Sequence, residues 1–305
     1  MTIAVLPALH RPVLEGRLPG WLEPRWWGTP EEMLALAPGA GIGWFDMHVK
    51  PPALAAVESA TNLRWLNTAY AGVDWLPLAG LERRGVVLSC GTGLTSGQVA
   101  EYAVLGMLAF AKGYREIARA HDRGEWLAEP PGTRDLAGSR ALLLGHGAIG
   151  QAIGRILESF GVECEAARRT DQAWRERLGR FDWIVMALPG TAETRGLIGA
   201  EEIAAMKRQA VVVNCGRPDT LDQAALVAAL QERRIAGAVL DVTDPEPLPP
   251  GHPLWGLGNA VVTMHLSGIP TLASHLRAAE RFLRNCERFR EGQPLEAEVN
   301  LTRGY

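Results

Sequence analysis

The sequence predicts an α/β protein of two parallel-sheet domains, and three observations predict it. The chain has 305 residues, more than one core usually organises, because single cores stop growing at roughly 250–300 residues. Short apolar runs alternate with helix-like segments from end to end, as parallel strands joined by crossover helices do. The alternation restarts near residue 140, behind a long apolar helical stretch, so it comes as two series.

In the first series the candidate strands are 3–6, 41–45, 63–67 and 86–89, with a helix over 53–60. The second series offers 141–144, 163–167, 183–187, 211–214, 236–240 and 261–264. Six strands with intervening helices suit a doubly wound sheet. The stretch 99–110 reads as a helix apolar on nearly every face, which must be buried on all sides. It is expected either inside the molecule between domains or against a second subunit, and the two are compatible. The stretch 271–290 is amphipathic and is expected to carry the chain back onto the first domain, making that domain discontinuous. The expected boundaries are 1–97 with 273–305 for the first domain and 98–272 for the second.

Composition removes several classes of function. A formal charge of −3 and an apolar fraction of 47% give no electrostatic reason to expect nucleic acid or an anionic membrane as partner. The longest apolar stretch, near 102–111, falls well short of the roughly 20 residues of a membrane span, and the N-terminus lacks a signal-peptide pattern. Cys90, Cys164, Cys215 and Cys286 form no CxxC pair and no disulfide framework, which favours a reducing cytoplasm. No metal site is expected.

Gly145-His-Gly147-Ala148-Ile149-Gly150 follows the run 141–144 and opens the helical stretch 148–160. A glycine loop between strand and helix permits a tight turn and close backbone approach, and the helix N-terminus offers unpaired amides to a pyrophosphate. This context reads as dinucleotide binding. At the end of the next strand, an acid normally holds the ribose 2′-hydroxyl of NAD. Arg168, Arg169 and Thr170 stand there instead. A guanidinium pairs with a 2′-phosphate that a carboxylate repels, so NADPH is expected over NADH.

Ligands of open parallel sheets bind beyond the carboxyl ends of the strands. In the second series those ends carry Leu188-Pro189, then Cys215-Gly216-Arg217, then Asp241 with Glu246 close behind, and last His265. Reduction of a 2-keto acid needs a cation for the carboxylate, a proton donor near neutral pKa, and a group that tunes the donor. Arg217 has the planar fork for the first task, His265 titrates in the right range for the second, and Glu246 can favour imidazolium. Each alone reads more simply as a surface charge or packing residue. Their convergence on one rim makes a catalytic set.

These residues resemble the D-isomer-specific 2-hydroxyacid dehydrogenases. The resemblance is carried by Asn214-Cys-Gly-Arg217, by Leu240-Asp241-Val-Thr-Asp-Pro-Glu246-Pro247-Leu248, and by Met264-His265-Leu-Ser267-Gly268. Leu188-Pro189-Gly-Thr-Ala-Glu-Thr194 is similar to the family's nicotinamide-side loop, and 67–74 to its substrate loop. The C-terminal 300–305 and the paired arginines resemble the branch of glyoxylate/hydroxypyruvate reductases that use NADPH. The resemblance implies two Rossmann-like domains, the first smaller, flavodoxin-like and substrate-binding, the second dinucleotide-binding. It implies cofactor contacts from Gly145, Gly147, Ala148, Ile149, Gly150, Arg168, Arg169, Thr170, Leu188, Pro189, Thr194, Cys215, Gly216, Asp241 and Ser267. It implies substrate contacts from Arg217 and from the backbone of Ala71, Gly72 and Val73, with Trp44 either lining the pocket or in the core. It also implies a cytoplasmic homodimer whose interface includes the helix near residue 100. Pro218 stands where the family usually has glycine, and Met264 where proline is usual. The expected activity is NAD(P)-dependent interconversion of a small 2-keto acid and its D-2-hydroxy acid. The alternative is a dinucleotide-sensing, corepressor-like regulator that turns over little substrate.

Overall fold

Five short strands, β1 (Thr2–Pro7), β2 (Leu22–Trp27), β3 (Ile42–Trp44), β4 (Trp65–Asn67) and β5 (Val87–Ser89), form a parallel sheet ordered β2-β1-β3-β4-β5. They belong to a computed structural model that describes residues 1–167, 171 and 173–304. This order is the flavodoxin-like one, with its switch point at β1. Strand β2 was not foreseen. Its sequence, Leu-Glu-Pro-Arg-Trp-Trp, shows no clean apolar run, and it pairs with β1 alone. Pro24 has no amide to give a ladder and is tolerated because this is an edge.

The sheet is covered on both faces. Val5, Leu66 and Leu88 point into one core, while Ala4, Leu6, Ile42, Trp44 and Trp65 point into the other. The helix Leu272–Arg290, capped by the Thr271 hydroxyl accepting from the Ser274 amide, completes the second core with Ala278, Ala279, Phe282 and Cys286. Phe282 stacks on Trp65 at 4.9 Å. The C-terminal helix therefore belongs to the first unit, which comprises Met1–Thr95 and Pro270–Tyr305.

The second unit, Ser96–Ile269, is built on β6 (Arg140–Leu144), β7 (Glu163–Ala167), β8 (Trp183–Met186), β9 (Val211–Asn214), β10 (Gly237–Leu240) and β11 (Ala260–Val262). All pair in parallel in the order β11-β10-β9-β8-β6-β7. Side chains alternate across a strand, and here both sets are apolar. Leu142, Leu144, Ile184, Met186, Val212, Ala238 and Leu240 fill one core, and Ala141, Leu143, Val185, Val211, Val213 and Val239 the other. That is why these strands read as continuous apolar runs.

The helix Ser96–Ala111 lies against β10, so close that a Cβ on Gly106 would sit 2.3 Å from Val239 Cγ1. Its inner face carries Val99, Ala103, Val104 and Met107. Within one chain the burial is not complete: Leu105 is 56% exposed, on a face that only the second-subunit alternative would cover. A hydrophobic residue on the far face is invisible to a pattern that is apolar all round. Among the described residues, no helix is long and apolar enough to cross a membrane.

Candidate active site

The chain returns through β6 at the switch point of the second sheet, between β7 and β8, and the glycine loop follows immediately. Its three glycines do three different things. Gly145 has φ +96° and a Cβ there would lie 2.5 Å from the Ala187 carbonyl oxygen. At Gly150 a Cβ would lie 2.0 Å from the Gly145 oxygen, so this glycine lets the helix approach the turn. At Gly147 a Cβ would meet nothing within 4 Å, so its bare backbone faces open space. Gly147 caps the helix Ala148–Ser159 without a side chain, which leaves the amides of Ala148 and Ile149 as open first-turn donors. A pyrophosphate fits that cradle. Arg168, Arg169 and Thr170 lie outside the described residues.

The loop after β8 is tied by Thr194, whose hydroxyl donates to the Pro189 oxygen at 2.7 Å and accepts from the Thr191 amide at 2.9 Å. The Thr194 hydroxyl thus shapes the Leu188-Pro189 loop. Gly216 brings that loop against the end of β9, since a Cβ would lie 2.6 Å from the Leu188 oxygen. Cys215 is buried with its thiol on the Met186 oxygen at 3.4 Å. Burial, with the charge of Asp241, pushes that thiol up to about 12. It stays protonated and inert, and the backbone is what this residue presents to a ligand.

The three residues expected to do chemistry come together beyond β9, β10 and β11. His265 Nδ1 lies 2.8 Å from Glu246 Oε2, and the Thr243 amide donates to Glu246 Oε1 at 3.0 Å. Burial pushes the Glu246 carboxyl up. The hydrogen bonds from His265 and Thr243, and the charges of His265 and Arg217, outweigh it and hold the group below the usual carboxylate range. His265 is held above the ordinary imidazole value, first by the hydrogen bond to Glu246 and then by the charges of Glu246 and Asp241, against burial and Arg217. Arg217 follows β9 with its backbone oxygen accepting from Thr220 Oγ1 at 2.7 Å and Asn214 Nδ2 at 3.1 Å. Pro218 opens the short helix Pro218–Thr220, a position that suits its fixed φ.

The backbone around His265 is unusual. Met264 and His265 both have positive φ, +56° and +55°, a conformation that costs non-glycine residues about 1–3 kcal/mol each. It is closed to proline, so a residue other than proline is required at Met264 in this turn. Several bonds hold the turn. The His265 amide donates to the Asp241 oxygen at 2.6 Å, Thr263 Oγ1 donates to Asp241 Oδ1 at 2.6 Å, and Ser267 Oγ donates to Asp241 Oδ2. Asp241 and Ser267, expected to touch the cofactor, have their side chains engaged with each other and with this turn. Gln98 adds two donations, to the oxygens of Ser267 at 2.8 Å and Ile269 at 2.6 Å. Gln98, Thr243 and Thr263 were missed because nothing marks a supporting residue in sequence except its distance from the group it supports.

In the first unit the 71–73 loop follows β4. Among the described residues, the amides of Ala71, Gly72 and Val73 are paired with no protein acceptor. Trp44, weighed as a pocket wall, has no accessible surface. It is core, stacked on His10 at 4.1 Å, and its Nε1 donates to Asp46 Oδ2 at 2.8 Å. Asp46 was not foreseen. It also accepts from Thr68 Oγ1 and the Ala69 amide, both at 2.6 Å. Reading the residue after each strand of the first series, as was done for the second, finds it. Among the described residues no cluster of three or more His, Cys, Asp or Glu side chains could hold a metal.

Comparison with known proteins agrees with this architecture. The family model described as D-isomer specific 2-hydroxyacid dehydrogenase, NAD binding domain, matches residues 104–267. A glyoxylate reductase of Thermofilum pendens is 32% identical across 80% of this chain and 77% of its own length. A crystal structure of a D-isomer specific 2-hydroxyacid dehydrogenase family protein from Aeromonas salmonicida superposes with a TM-score of 0.86, at 28% identity, covering 98% of this chain and 99% of that one. Another, from Xanthobacter autotrophicus and in complex with NADPH and MES, has a TM-score of 0.77 at 28% identity and covers all of both chains. With a matched domain spanning more than half its length and a relative this similar, the chain belongs to the D-isomer-specific 2-hydroxyacid dehydrogenase family, a family of oxidoreductases with an NAD-binding domain.

Proposed function

We propose that this protein reduces a small 2-keto acid, of the size of glyoxylate or hydroxypyruvate, to the D-2-hydroxy acid with NADPH. The observation that carries the reading is the 2.8 Å contact between His265 Nδ1 and Glu246 beside the charge of Arg217. With Nδ1 engaged by Glu246, Nε2 is the nitrogen that gives a proton to the substrate oxygen. Glu246 holds the ring in place and favours its charged form. Arg217 pairs with the carboxylate and polarises the neighbouring carbonyl. The loop 145–150, the first turn of the helix after it, the 188–194 loop and the backbone of Cys215-Gly216 would hold the dinucleotide. When bound, it supplies the hydride that reaches C2.

Two arginines directly after the 163–167 strand in sequence, where an acid would favour NAD, support NADPH over NADH, and the Xanthobacter relative was solved with NADPH. The reading includes a homodimer, supported by exposed Leu105, Tyr114, Ile117 and Trp126 in and after the helix Ser96–Ala111; light scattering tests it.

The function is tested by the initial rate of NADPH and NADH oxidation with glyoxylate, hydroxypyruvate, pyruvate and longer 2-keto acids. Turnover of one or two of the small acids with NADPH is expected, and Arg217→Ala should raise KM and lower kcat together. Replacing Arg168 and Arg169 with alanine should raise the KM for NADPH about tenfold and leave NADH unchanged. Tight NADPH binding with no turnover of any acid would instead favour a sensing protein.

A further inference from the structure

Lys50 occupies a place that helix physics disfavours. It is the first residue of the helix Lys50–Ser59, which has no side-chain cap, and a cation at a helix N-terminus opposes the macrodipole. Places where a local rule is broken are expected at functional or strained sites. The ammonium is half-buried, 3.4 Å from the centre of the Tyr70 ring and 4.7 Å from that of Trp75, and it donates to the Met47 oxygen at 3.0 Å.

Tyr70 and Trp75 flank the 71–73 loop. Their rings meet edge to face at 6.3 Å, and Trp75 Nε1 donates back to the Gly72 oxygen at 3.1 Å. The Tyr70 oxygen accepts from the Gly91 amide at 2.8 Å, where any side chain on Gly91 would collide with the Ala69 oxygen. The three open amides thus sit on a turn flanked by two aromatics, both of which carry the Lys50 ammonium on their rings.

The charges around that turn argue against an anion. Asp46 grips the Thr68 hydroxyl and Ala69 amide, and Asp74 follows directly. Both act electrostatically on Lys50. Without the ammonium, a carboxylate seeking the amides of 71–73 approaches Asp46 and Asp74 with no Lys50 charge set against them. We propose that Lys50 is a specificity-determining residue of the first unit: held on Tyr70 and Trp75, it offsets Asp46 and Asp74 so that the 71–73 loop accepts an anionic 2-keto acid and favours it over a neutral carbonyl compound.

This rests on the functional reading above, and its test separates the two. Steady-state rates are measured with glyoxylate and with its uncharged methyl ester for the wild type, Lys50→Met and Lys50→Arg. Lys50→Met should raise the KM for glyoxylate about tenfold, the size of one charge lost at partly buried range, with kcat within about twofold and the ester's KM unchanged. Added salt should narrow that gap, and Lys50→Arg should restore most of it. An equal rise for acid and ester would reduce Lys50 to a structural clamp, and an unchanged KM for glyoxylate would overturn the proposal. Calorimetric binding of oxalate, a non-reacting dianion, reads the same residue without turnover. If the wild type reduces no 2-keto acid, the functional reading fails. Lys50 then stands if Lys50→Met weakens oxalate about tenfold, and falls if it does not.

Discussion

At the scale of single residues, the glycine loop separates folding from binding. A methyl group at Gly147 meets open space, while one at Gly150 meets the Gly145 oxygen at 2.0 Å. Gly147→Ala should therefore keep the melting temperature of the free protein and weaken NADPH about tenfold or more, because the added methyl stands where the pyrophosphate comes close. Gly150→Ala should cost about 2 kcal/mol or more of stability before any ligand is added. Thermal melts paired with NADPH titrations check both, and equal effects from the two variants would refute the division. Glu246 and His265 give a pH prediction at the same scale. His265 is held above its ordinary value chiefly by Glu246, so the protonated donor persists further into alkaline pH than a free imidazole would. Glu246→Gln should move the alkaline limb of kcat/KM to lower pH and reduce the maximum about tenfold or more. A pH–rate profile of the same shape would remove Glu246 from this role.

Arg217, Glu246 and His265 were legible because each follows within a few residues of the carboxyl end of a strand. The reason His265 sits where it does was not. Its positive φ and its grip by Asp241 and Gln98 come from a turn whose partners lie 24 and 169 residues away in the chain.

At the scale of elements, His10 shows what packing does to a titratable group. It ends the short turn Ala8–His10 after β1, is 4% exposed, stacks on Trp44 and lies 5.3 Å from His275. Burial first, and then the charge of His275, push it down from 6.5 to about 4. The unfolded chain binds this proton near the ordinary value while the folded chain resists it. Stability is therefore lost progressively as pH falls from about 6.5 to about 4, by up to roughly 3 kcal/mol. His10→Phe keeps the stack and should flatten that part of the stability curve. Denaturant titrations at several pH values test it, and an unchanged acid slope would assign the loss elsewhere. Strand β2 carries the complementary lesson. Periodicity finds strands buried on both faces, and it passes over an edge strand with a proline and two charges.

At the scale of the whole molecule, two units with separate cores should melt as two calorimetric transitions. The dinucleotide loop lies wholly in Ser96–Ile269. NADPH at a hundredfold excess over its Kd should stabilise that unit by about 2.7 kcal/mol, roughly 5–10 °C, and move the other transition less. A single transition that shifts as one would show the units to be thermodynamically inseparable.

Repetition and chain order were enough for the sequence to determine the α/β class, the restart of a second sheet, the glycine loop and Arg217, Glu246 and His265 in the loops after three strands. These depend on local periodicity and on the rule that parallel sheets present their carboxyl ends to ligands. Only the tertiary structure decided which side chains those residues meet. It made Trp44 core, turned Asp241 and Ser267 towards each other, left Leu105 exposed, and set Lys50 over Tyr70 and Trp75. Burial and charge pairing between residues distant in the chain have no period, so they exist only once the backbone has brought them together.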